Sequence, residues 1–519
     1  MSSAPRNPPF RAEHLGSLLR PSKLLDKRRA IQQKKESGDD LSKIEDSRQA
    51  FPNFETSANP PIGIDDIVKI QTDCGFHAIS DGEYRRHMFW GTFFPTLNGM
   101  KEIQGPDLDI FRLYVPDIAA FMEEGHVPGE TVICDGKISH TGKSSYIGQF
   151  EYLKSILPKE KHGDIKMTLA APNWYHLRYK EGKAYPKDVY SSDKEYFADI
   201  AEAYRTELKI LYDAGLRNVQ VDDPNLAYFC SDKMIEGWND DSANTKSIDD
   251  LFDEYISFYN DCFKRPSDMH LGIHLCRGKL LHPIRVAAAD VRRGNFVNSR
   301  HFSEGGYDRI ARKLFQELNV STYYLEYDTS RAGGFEPLKE LPKNKNVRAH
   351  ETIPRGPMLH SSYPRLAVSL IKSRSQNCLS AATWFKQRAD HYTQVILGLV
   401  TSKFPKLEDK EEMKERIYKA AEFVAAGSGE SKDEALQRLG VSPQCGFASH
   451  EDGNLLEYED MVAKLKLVRS IANEGDPPMS KVPFVSETFA DGYALIVQFG
   501  PIRREDTRQA QSVETAHMS

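Results

Sequence analysis

Eight short β-prone runs, each ending in a polar cluster and followed by a helix-like stretch, constrain the fold of this 519-residue chain more than any other feature. The stretch Tyr196–Ala214 shows the apolar spacing of a helix and ends at Gly215, a helix stop signal, before the fourth run. Tyr307–Leu318 precedes the sixth run and Tyr458–Ala472 follows the eighth in the same way. The alternation predicts parallel strands connected by helices, and eight units predict a single (β/α)8 barrel, an α/β TIM barrel.

The eight predicted strands share β-propensity and a polar C-terminal end. They are Arg11–Leu19, Phe76–Ile79, Ile165–Ala170, Asn218–Val221, Leu271–Leu275, Thr322–Leu325, Val395–Val400 and Val441–Phe447. Because the loops after the strands of such a barrel converge on one face, we expect their polar clusters to meet there and to form the active site.

Several segments do not fit the eight units. We predict an N-terminal extension at 1–10, a barrel over 11–502 with insertions at about 27–61, 101–162 and 348–392, and a disordered tail at 503–519. The segment 348–392 interrupts the approach to the seventh strand and has no clear period. Our hypothesis is that it is either a lineage-specific insertion or translated unspliced sequence, because its removal would join 346–347 directly to that strand.

Composition excludes some classes of function. The net charge is −6, and no basic stripe with interleaved aromatic residues is present, so nucleic acid is not an expected partner. No apolar run is long enough to span a bilayer, and seven cysteines in a chain of this length do not form a dense disulfide framework. We therefore expect a cytoplasmic protein in which cysteines serve as core residues, metal ligands or reactive thiols.

Four residues suggest a metal site. His274 and Cys276 lie two apart on a predicted strand, so their side chains point to the same side. Glu326 and Cys445 end or follow later strands and would reach the same point above the barrel. Two thiolates, an imidazole and a carboxylate are a plausible tetrahedral zinc set. The alternative is a buried structural cysteine beside a hydrogen-bonded histidine. The remaining cysteines are interpreted as structural: Cys74, Cys134, Cys230, Cys262 and Cys378.

The motifs that contain these residues resemble those of the cobalamin-independent methionine synthase family, in the same order along the chain. The resemblance covers Arg11 to Ala472 apart from the insertions and is greatest to the short, single-barrel relatives. It includes His274-Leu275-Cys276, Glu326, Ser442-Pro443-Gln444-Cys445-Gly446, Gly16-Ser17, Asp81-Gly82-Glu83 and Gln220-Val221-Asp222-Asp223-Pro224. It implies the barrel fold that this family shares with uroporphyrinogen decarboxylase, a Zn²⁺ cofactor, and methyl transfer from 5-methyltetrahydrofolate to homocysteine.

The resemblance also implies roles for the strand-end residues. Gly16 and Ser17 would bind the homocysteine carboxylate, while Glu83 and Asp222 would bind its ammonium group, with Asp222 also counted as catalytic. The alternative for the two acids is a structural network with Arg85, Arg86 or Arg277.

Two further residues have open roles. His14 is a candidate proton donor, a substrate contact or a hydrogen-bonded histidine at a strand end. Trp174 lies where a flat ring such as a pterin would stack, although an aromatic residue after a strand more often packs in the core.

The sequence departs from the family in two respects. The full-length enzymes carry a second, N-terminal barrel that contributes to the folate site, and a histidine after the seventh strand, where this sequence has Thr401. Three hypotheses follow: methyl transfer to homocysteine, transfer or elimination of another alkyl group at a small thiol, and a non-catalytic barrel that binds zinc or a thiol. Glu83 and Asp222 favour the first, because a thiol without an ammonium group has no use for both acids.

Overall fold

A parallel sheet of six strands organises the protein. The computed structural model describes residues 11–32, 41, 45, 63–123, 129–277, 303–343, 393–449 and 453–474. The strands are β1 (Asn98–Gln104), β2 (Glu130–Ser139), β3 (Lys166–Ala170), β4 (Asn218–Asp222), β5 (His270–Leu275), β6 (Thr322–Glu326), β7 (Gln394–Val400) and β8 (Leu439–Pro443). Strands β3 to β8 lie side by side in chain order, all parallel.

Two segments outside the named strands connect the edges of this sheet. Ala12 forms a parallel bridge with Val441 in β8, and Ile79 forms one with Ile165 beside β3. The two segments also bond to each other, since Leu18 N donates to Gly82 O at 3.1 Å. The ring therefore has eight positions, and the predicted (β/α)8 barrel is confirmed.

Alternation along the strands separates the interior of the barrel from its outer surface. Residues that alternate along β3 to β6 share one side, which is polar at both ends of the barrel: Lys166, Thr168, Asn218, Gln220, Asp222, His270, His274, Thr322 and Glu326. Inside, Lys166 Nζ donates to Glu13 Oε2 at 2.8 Å, and His270 lies within hydrogen-bond distance of Asn218 and Thr322. The opposite side is apolar and packs in the main core, with Val219, Val221, Leu271, Ile273, Tyr323 and Leu325. Interior positions are thus available for chemistry at the C-terminal ends.

Helices follow the strands along the chain. Those of the described residues are α1 (Ser22–Gln32), α2 (Ile64–Asp73), α3 (Pro116–Glu123), α4 (Ile147–Ile156), α5 (Trp174–Arg178), α6 (Asp193–Asp213), α7 (Asn225–Tyr228), α8 (Asp232–Asp240), α9 (Ile248–Cys262), α10 (Ala311–Glu317), α11 (Lys410–Ser428), α12 (Lys432–Leu436) and α13 (Tyr458–Glu474). Helix α6 buries Tyr196, Ile200 and Leu208 on one face, as its apolar spacing predicts. None of the helices in the described part is long and apolar enough to cross a membrane.

The structure corrects four predicted elements. The eighth strand is Leu439–Pro443 rather than Val441–Phe447, because its partner strand β7 ends at Val400 and the chain beyond bonds elsewhere, with Phe447 N donating to Ser17 O. The first two predicted strands each form only a single bridge. The stretch predicted as one helix at Tyr307–Leu318 is a 3-10 turn at Tyr307–Arg309 followed by α10.

The predicted insertion at 101–162 contains an antiparallel hairpin of β1 and β2, which begins at Asn98. The hairpin is bonded to the barrel, since Tyr179 Oη donates to Val132 O at 2.6 Å and Ile138 N donates to Tyr190 Oη at 2.7 Å. Most of 27–61, and all of 1–10, 348–392 and 503–519, lie outside the described residues. The chain divides into units of 1–475 and 476–519, and all described residues belong to the first.

Candidate metal centre

The barrel brings His274, Cys276, Glu326 and Cys445 together at the C-terminal ends of its strands. One ligand atom from each lies within 4.8 Å of the other three. The two sulfur atoms are 3.3 Å apart, and His274 Nε2 is 3.7 Å from Glu326 Oε1. His274 lies on β5, Glu326 ends β6, and the two cysteines follow β5 and β8. The sequence-predicted ligand set is therefore a spatial cluster formed by the fold.

Asp222 orients the histidine of this cluster. Asp222 and His274 are register partners at the ends of β4 and β5, and His274 Nδ1 donates to Asp222 Oδ1 at 3.0 Å. Gln220 Nε2 donates to the same carboxylate oxygen at 2.7 Å. A carboxylate on one imidazole nitrogen leaves the other as the candidate ligand atom, and here Nε2 lies 3.3 Å from Gln444 O and 3.7 Å from Glu326 Oε1.

The cluster concentrates negative charge in a buried place. Both carboxylate oxygens of Glu326 are buried without a hydrogen-bond partner among the described residues. The hydrogen bond from Cys276 lowers the pKa of the Cys445 thiol to about 6, although burial acts in the opposite direction. The same hydrogen bond and burial both raise the pKa of the Cys276 thiol. Burial opposes protonation of His274, but its hydrogen bond to Asp222 and the nearby Glu326 carboxylate raise its pKa to about 10. Two thiols, a carboxylate and an imidazole that are buried together in this way favour the binding of a cation.

The donor set passes a test of fit to zinc. In a tetrahedral zinc site two sulfurs are about 3.8 Å apart and a nitrogen and an oxygen about 3.3 Å apart, so each of the two separations above lies within about 0.5 Å of the distance that zinc requires. Two sulfurs, a nitrogen and an oxygen suit zinc better than the all-oxygen preference of magnesium or calcium. Cys276 is partly exposed, whereas the other three residues are buried, so the cluster has one accessible side.

A second group of predicted residues lies on the same face. Gly16 has a φ of 101°, and its carbonyl accepts a hydrogen bond from Ser80 Oγ at 2.7 Å. Ser17 O accepts from Phe447 N at 2.9 Å, and Ser17 Oγ would lie 1.9 Å from a Cβ placed on Gly446. The Gly16-Ser17 turn therefore packs directly on the loop that carries Cys445.

Glu83 is held in an unfavourable conformation and environment. It has a φ of 60°, which is uncommon for a residue other than glycine. Its Oε1 accepts from Thr168 Oγ1 at 2.6 Å and lies 3.8 Å from Arg86 Nη1, whereas Oε2 is buried without a partner in the described structure. Burial raises the pKa of Glu83 to about 7, against the charge of Arg86 and with that of Asp222. The structural network of acids and arginines thus exists in part, through Arg86, but it leaves Glu83 Oε2 without a partner in the described structure.

Neither of the other two arginines of that alternative forms an ion pair with Glu83 or Asp222 in the contacts described. The Arg85 guanidinium lies 4.7 Å from the centre of the Tyr152 ring, and that of Arg277 lies 3.7 Å from the Tyr307 ring. Asp222 instead takes His274 and Gln220 as its partners.

His14 is enclosed by backbone groups. Its Nε2 donates to Ala78 O at 2.8 Å, and its Nδ1 accepts from Gly16 N at 3.3 Å. Burial, with the nearby Lys166 charge, lowers its pKa to about 3. Of the three roles left open by the sequence, this geometry favours the hydrogen-bonded histidine that holds the turn at Gly16.

Trp174 has both of its ring faces covered. Trp90 stacks on it at 4.5 Å between ring centres, and the Arg178 guanidinium lies 3.5 Å from its ring centre. Trp174 therefore packs against protein side chains, which was the alternative to stacking on a flat ligand ring. Trp90 and Trp174 both line a cleft of about 580 Å³ between the barrel and the hairpin.

Some residues of the site were not predicted from sequence. Thr168 bonds both Glu83 and Arg86, and its interior position follows from the same alternation that places Lys166 inside. Lys403 is 2% exposed, its Nζ donates to Asn454 Oδ1 at 3.1 Å, and its charge helps to lower the pKa of Cys445. It belongs to the polar cluster after the seventh strand, which was the available signal.

Gly16→Ala should destabilise the protein by about 2 kcal/mol or more, because a Cβ at this positive φ would lie 2.4 Å from Thr168 Cγ2. Urea unfolding would measure the loss, with Gly163→Ala as the matched control, since a Cβ at Gly163 meets nothing within 4 Å. Equal unfolding free energies of the two variants would contradict the tight packing at Gly16.

Asp222→Asn should weaken metal affinity by about 10- to 100-fold, because asparagine presents a neutral and weaker acceptor to His274 Nδ1. Competition with a chromogenic zinc chelator would measure this loss. Asp240→Asn, at an exposed carboxylate on α8, should leave affinity unchanged. If zinc affinity were unaltered in Asp222→Asn while amino-acid binding weakened, Asp222 would contribute to substrate binding only and not to metal binding.

The fold and the site together define a (β/α)8-barrel protein with a histidine, cysteine, glutamate and cysteine group that could hold a metal at the strand ends. No family model matches the chain. Among curated proteins, it is 29% identical over 470 residues to the uncharacterized protein YxjH of Bacillus subtilis, covering 90% of this chain and 95% of that one. It is 29% identical over 473 residues to the uncharacterized protein YxjG of the same organism, with the same coverage.

Two solved structures share the fold. A Listeria monocytogenes protein assigned provisionally as a vitamin-B12 independent methionine synthase has a TM-score of 0.54 and 23% identity, covering 91% of this chain and 99% of that one. A B12-independent methionine synthase from Shewanella sp. W3-18-1, in complex with selenomethionine, has a TM-score of 0.51 and 16% identity, covering 89% and 97%. At these identities the similarity shows the fold.

Proposed function

We propose that the protein is a zinc-dependent methyltransferase that methylates the thiol of homocysteine to form methionine. One observation carries this proposal: Glu83 and Asp222 lie on the same barrel face as the candidate metal centre. That centre consists of His274, Cys276, Glu326 and Cys445. The first group suits a thiol, and the two acids suit an ammonium group. The family resemblance, and the methionine analogue bound to the Shewanella protein of the same fold, also support it.

Zinc held by the four residues would keep a thiol ligand deprotonated at neutral pH, as a metal does for a coordinated thiol. Two thiolates and the Glu326 carboxylate overcompensate a divalent cation, so a substrate sulfur next to them stays electron-rich and nucleophilic. The partly exposed side of the cluster at Cys276 is where that sulfur would enter.

The remaining residues would hold the amino-acid end of homocysteine. Glu83 Oε2, buried without a partner in the described structure, would accept from its ammonium group together with Asp222. The turn at Gly16 and Ser17 would bind its carboxylate next to the Cys445 loop. With both ends fixed, the sulfur is oriented toward the methyl donor.

The atoms of the transfer balance without an oxidant. A sulfur lone pair forms the new bond to the methyl carbon as the bond between that carbon and the donor nitrogen breaks. The electron pair stays on nitrogen, and the proton lost by the thiol balances the proton that the nitrogen takes up. In this proposal Glu83, Asp222 and the cluster would position the thiol partner of the reaction.

The test is an assay of the purified, zinc-loaded protein for methionine formed from homocysteine and 5-methyltetrahydrofolate. We expect methionine to appear with loss of thiol, and removal of zinc by a strong chelator to abolish it while the fold measured by circular dichroism persists. No methionine with full zinc occupancy would overturn the proposal. Loss of another small thiol would then indicate a different alkyl transfer, and zinc binding without turnover would indicate a binding protein.

A further inference from the structure

Arg277 carries a buried positive charge that the proposed function does not use. It follows Cys276 directly in the chain and is 1% exposed. Its Nη1 donates to Gly305 O, and its guanidinium lies 3.7 Å from the centre of the Tyr307 ring. Its Nε and Nη2 are buried without a hydrogen-bond partner among the described residues. Because it is costly to bury charged donors unpaired, this part of the side chain favours the binding of an acceptor.

The two nitrogens without partners form one edge of the planar guanidinium. The N–H groups of Nε and Nη2 point in the same direction, and this fork matches two oxygens of a carboxylate, sulfate or phosphate. A lysine at this position would not reproduce the fork, because its ammonium group is a point charge. The free edge of Arg277 therefore suits an anion that presents two oxygens together.

A second arginine packs next to Arg277. Arg331 Nη1 donates to Ser303 O at 2.9 Å, and Ser303 N donates to Arg277 O at 2.9 Å, so one residue links the two arginines. Arg331 Nε is also buried without a partner in the described structure, while Asp328 Oδ1 lies 4.0 Å from its Nη2. Burial, with the nearby charge of Arg277, lowers the pKa of Arg331 to about 10. An anion bound to both arginines would relieve the repulsion between them.

Two hydroxyl groups belong to the same group of contacts. Ser303 Oγ and Tyr327 Oη are buried without partners within the described ranges, and the Tyr327 ring packs edge-on against the Tyr307 ring at 5.5 Å between ring centres. The Arg331 side chain is 22% exposed, and Cys276 is partly exposed. The group therefore borders the accessible side of the candidate metal centre, from which an anion would enter.

We propose that Arg277 and Arg331 form a binding site for an oxyanion, such as a carboxylate, sulfate or phosphate, next to the candidate metal centre. The occupant is either a free inorganic anion or the anionic group of a small molecule that reaches the metal centre. The site shares no residue with the proposed homocysteine contacts. It therefore goes beyond the proposed function and does not depend on it.

Isothermal titration calorimetry of the full-length, zinc-loaded protein with inorganic sulfate tests this site without turnover, with chloride keeping the ionic strength constant. Arg277→Lys should weaken sulfate binding by about tenfold, because lysine keeps the charge but loses the fork. Arg331→Gln should weaken it by about fivefold or more, because it removes one of the two charges. Arg309→Lys is the matched control, since Arg309 is exposed and pairs with Asp249, and it should bind sulfate as the wild type does.

A wild-type protein that does not bind sulfate would overturn the inference, and so would equal sulfate affinities of the wild type and Arg331→Gln. If Arg277→Lys does not fold, as circular dichroism would show, Arg331→Gln decides the result alone. Competition assigns the occupant: sulfate that displaces a substrate supports an anionic group of that substrate, and sulfate that displaces none supports a free anion. Sulfate binding without methionine formation retains this inference and removes the proposed function, whereas methionine formation without sulfate binding does the reverse.

Discussion

Cys445→Ser should release the bound zinc and reduce methionine formation by about 100-fold or more. The Cys445 sulfur is one of the two sulfurs in the candidate metal centre, and its pKa of about 6 makes it the more readily ionised of the pair. A serine hydroxyl stays protonated at neutral pH and binds zinc poorly, so the substitution removes a ligand and a negative charge together. Zinc content by elemental analysis and initial rates with homocysteine would measure both losses.

Cys276→Ser should behave in the same way, because its sulfur lies 3.3 Å from that of Cys445 and belongs to the same group. Cys74→Ser is the matched control, since Cys74 lies outside the cluster on the segment after α2 and should retain zinc and activity. A Cys445→Ser protein with full zinc occupancy would contradict the assignment of Cys445 as a ligand.

The fold could be predicted because a parallel barrel repeats one local pattern eight times. The strands β3 to β7 were placed within one residue at each end, since their apolar runs are short and bounded by polar residues. The pattern was less informative at the segments of Ala12 and Ile79, which make single bridges and carry mixed polar residues. There the position in the barrel is set by neighbouring strands rather than by local propensity.

The proximity of the candidate ligands could also be predicted, because strand ends converge in this architecture. What the sequence could not supply was the identity of each partner. Both acids beside the cluster have partners that depend on tertiary distances: Asp222 bonds His274, and Glu83 bonds Thr168. The covering of Trp174 by Trp90 likewise joins segments 84 positions apart, which no local pattern reveals.

Glu83→Gln should reduce kcat/KM for homocysteine by about 30-fold or more and remove its pH dependence near neutrality. Burial raises the pKa of Glu83 from 4.5 to about 7, so the carboxylate that would accept the substrate ammonium forms only as the pH rises through 7. In the wild type kcat/KM should therefore increase through that range and then level off. The glutamine variant should be low and flat, whereas Glu160→Gln, at an exposed position, should follow the wild type.

The same substitution should make the protein more stable at pH 8. A carboxyl whose folded pKa exceeds its unfolded value binds more protons when folded, so stability falls as the pH rises from about 4.5 to 7. Each pKa unit corresponds to about 1.4 kcal/mol, so ionised Glu83 opposes folding by about 3.5 kcal/mol, which glutamine avoids. Urea unfolding at pH 5 and pH 8 would measure the gain, which should be larger at pH 8. A residue kept only for structure would not lower stability when ionised. A Glu83→Gln variant that is more stable and less active than the wild type would therefore identify Glu83 as a substrate-binding residue. A variant that is less stable than the wild type at pH 8 would contradict that role.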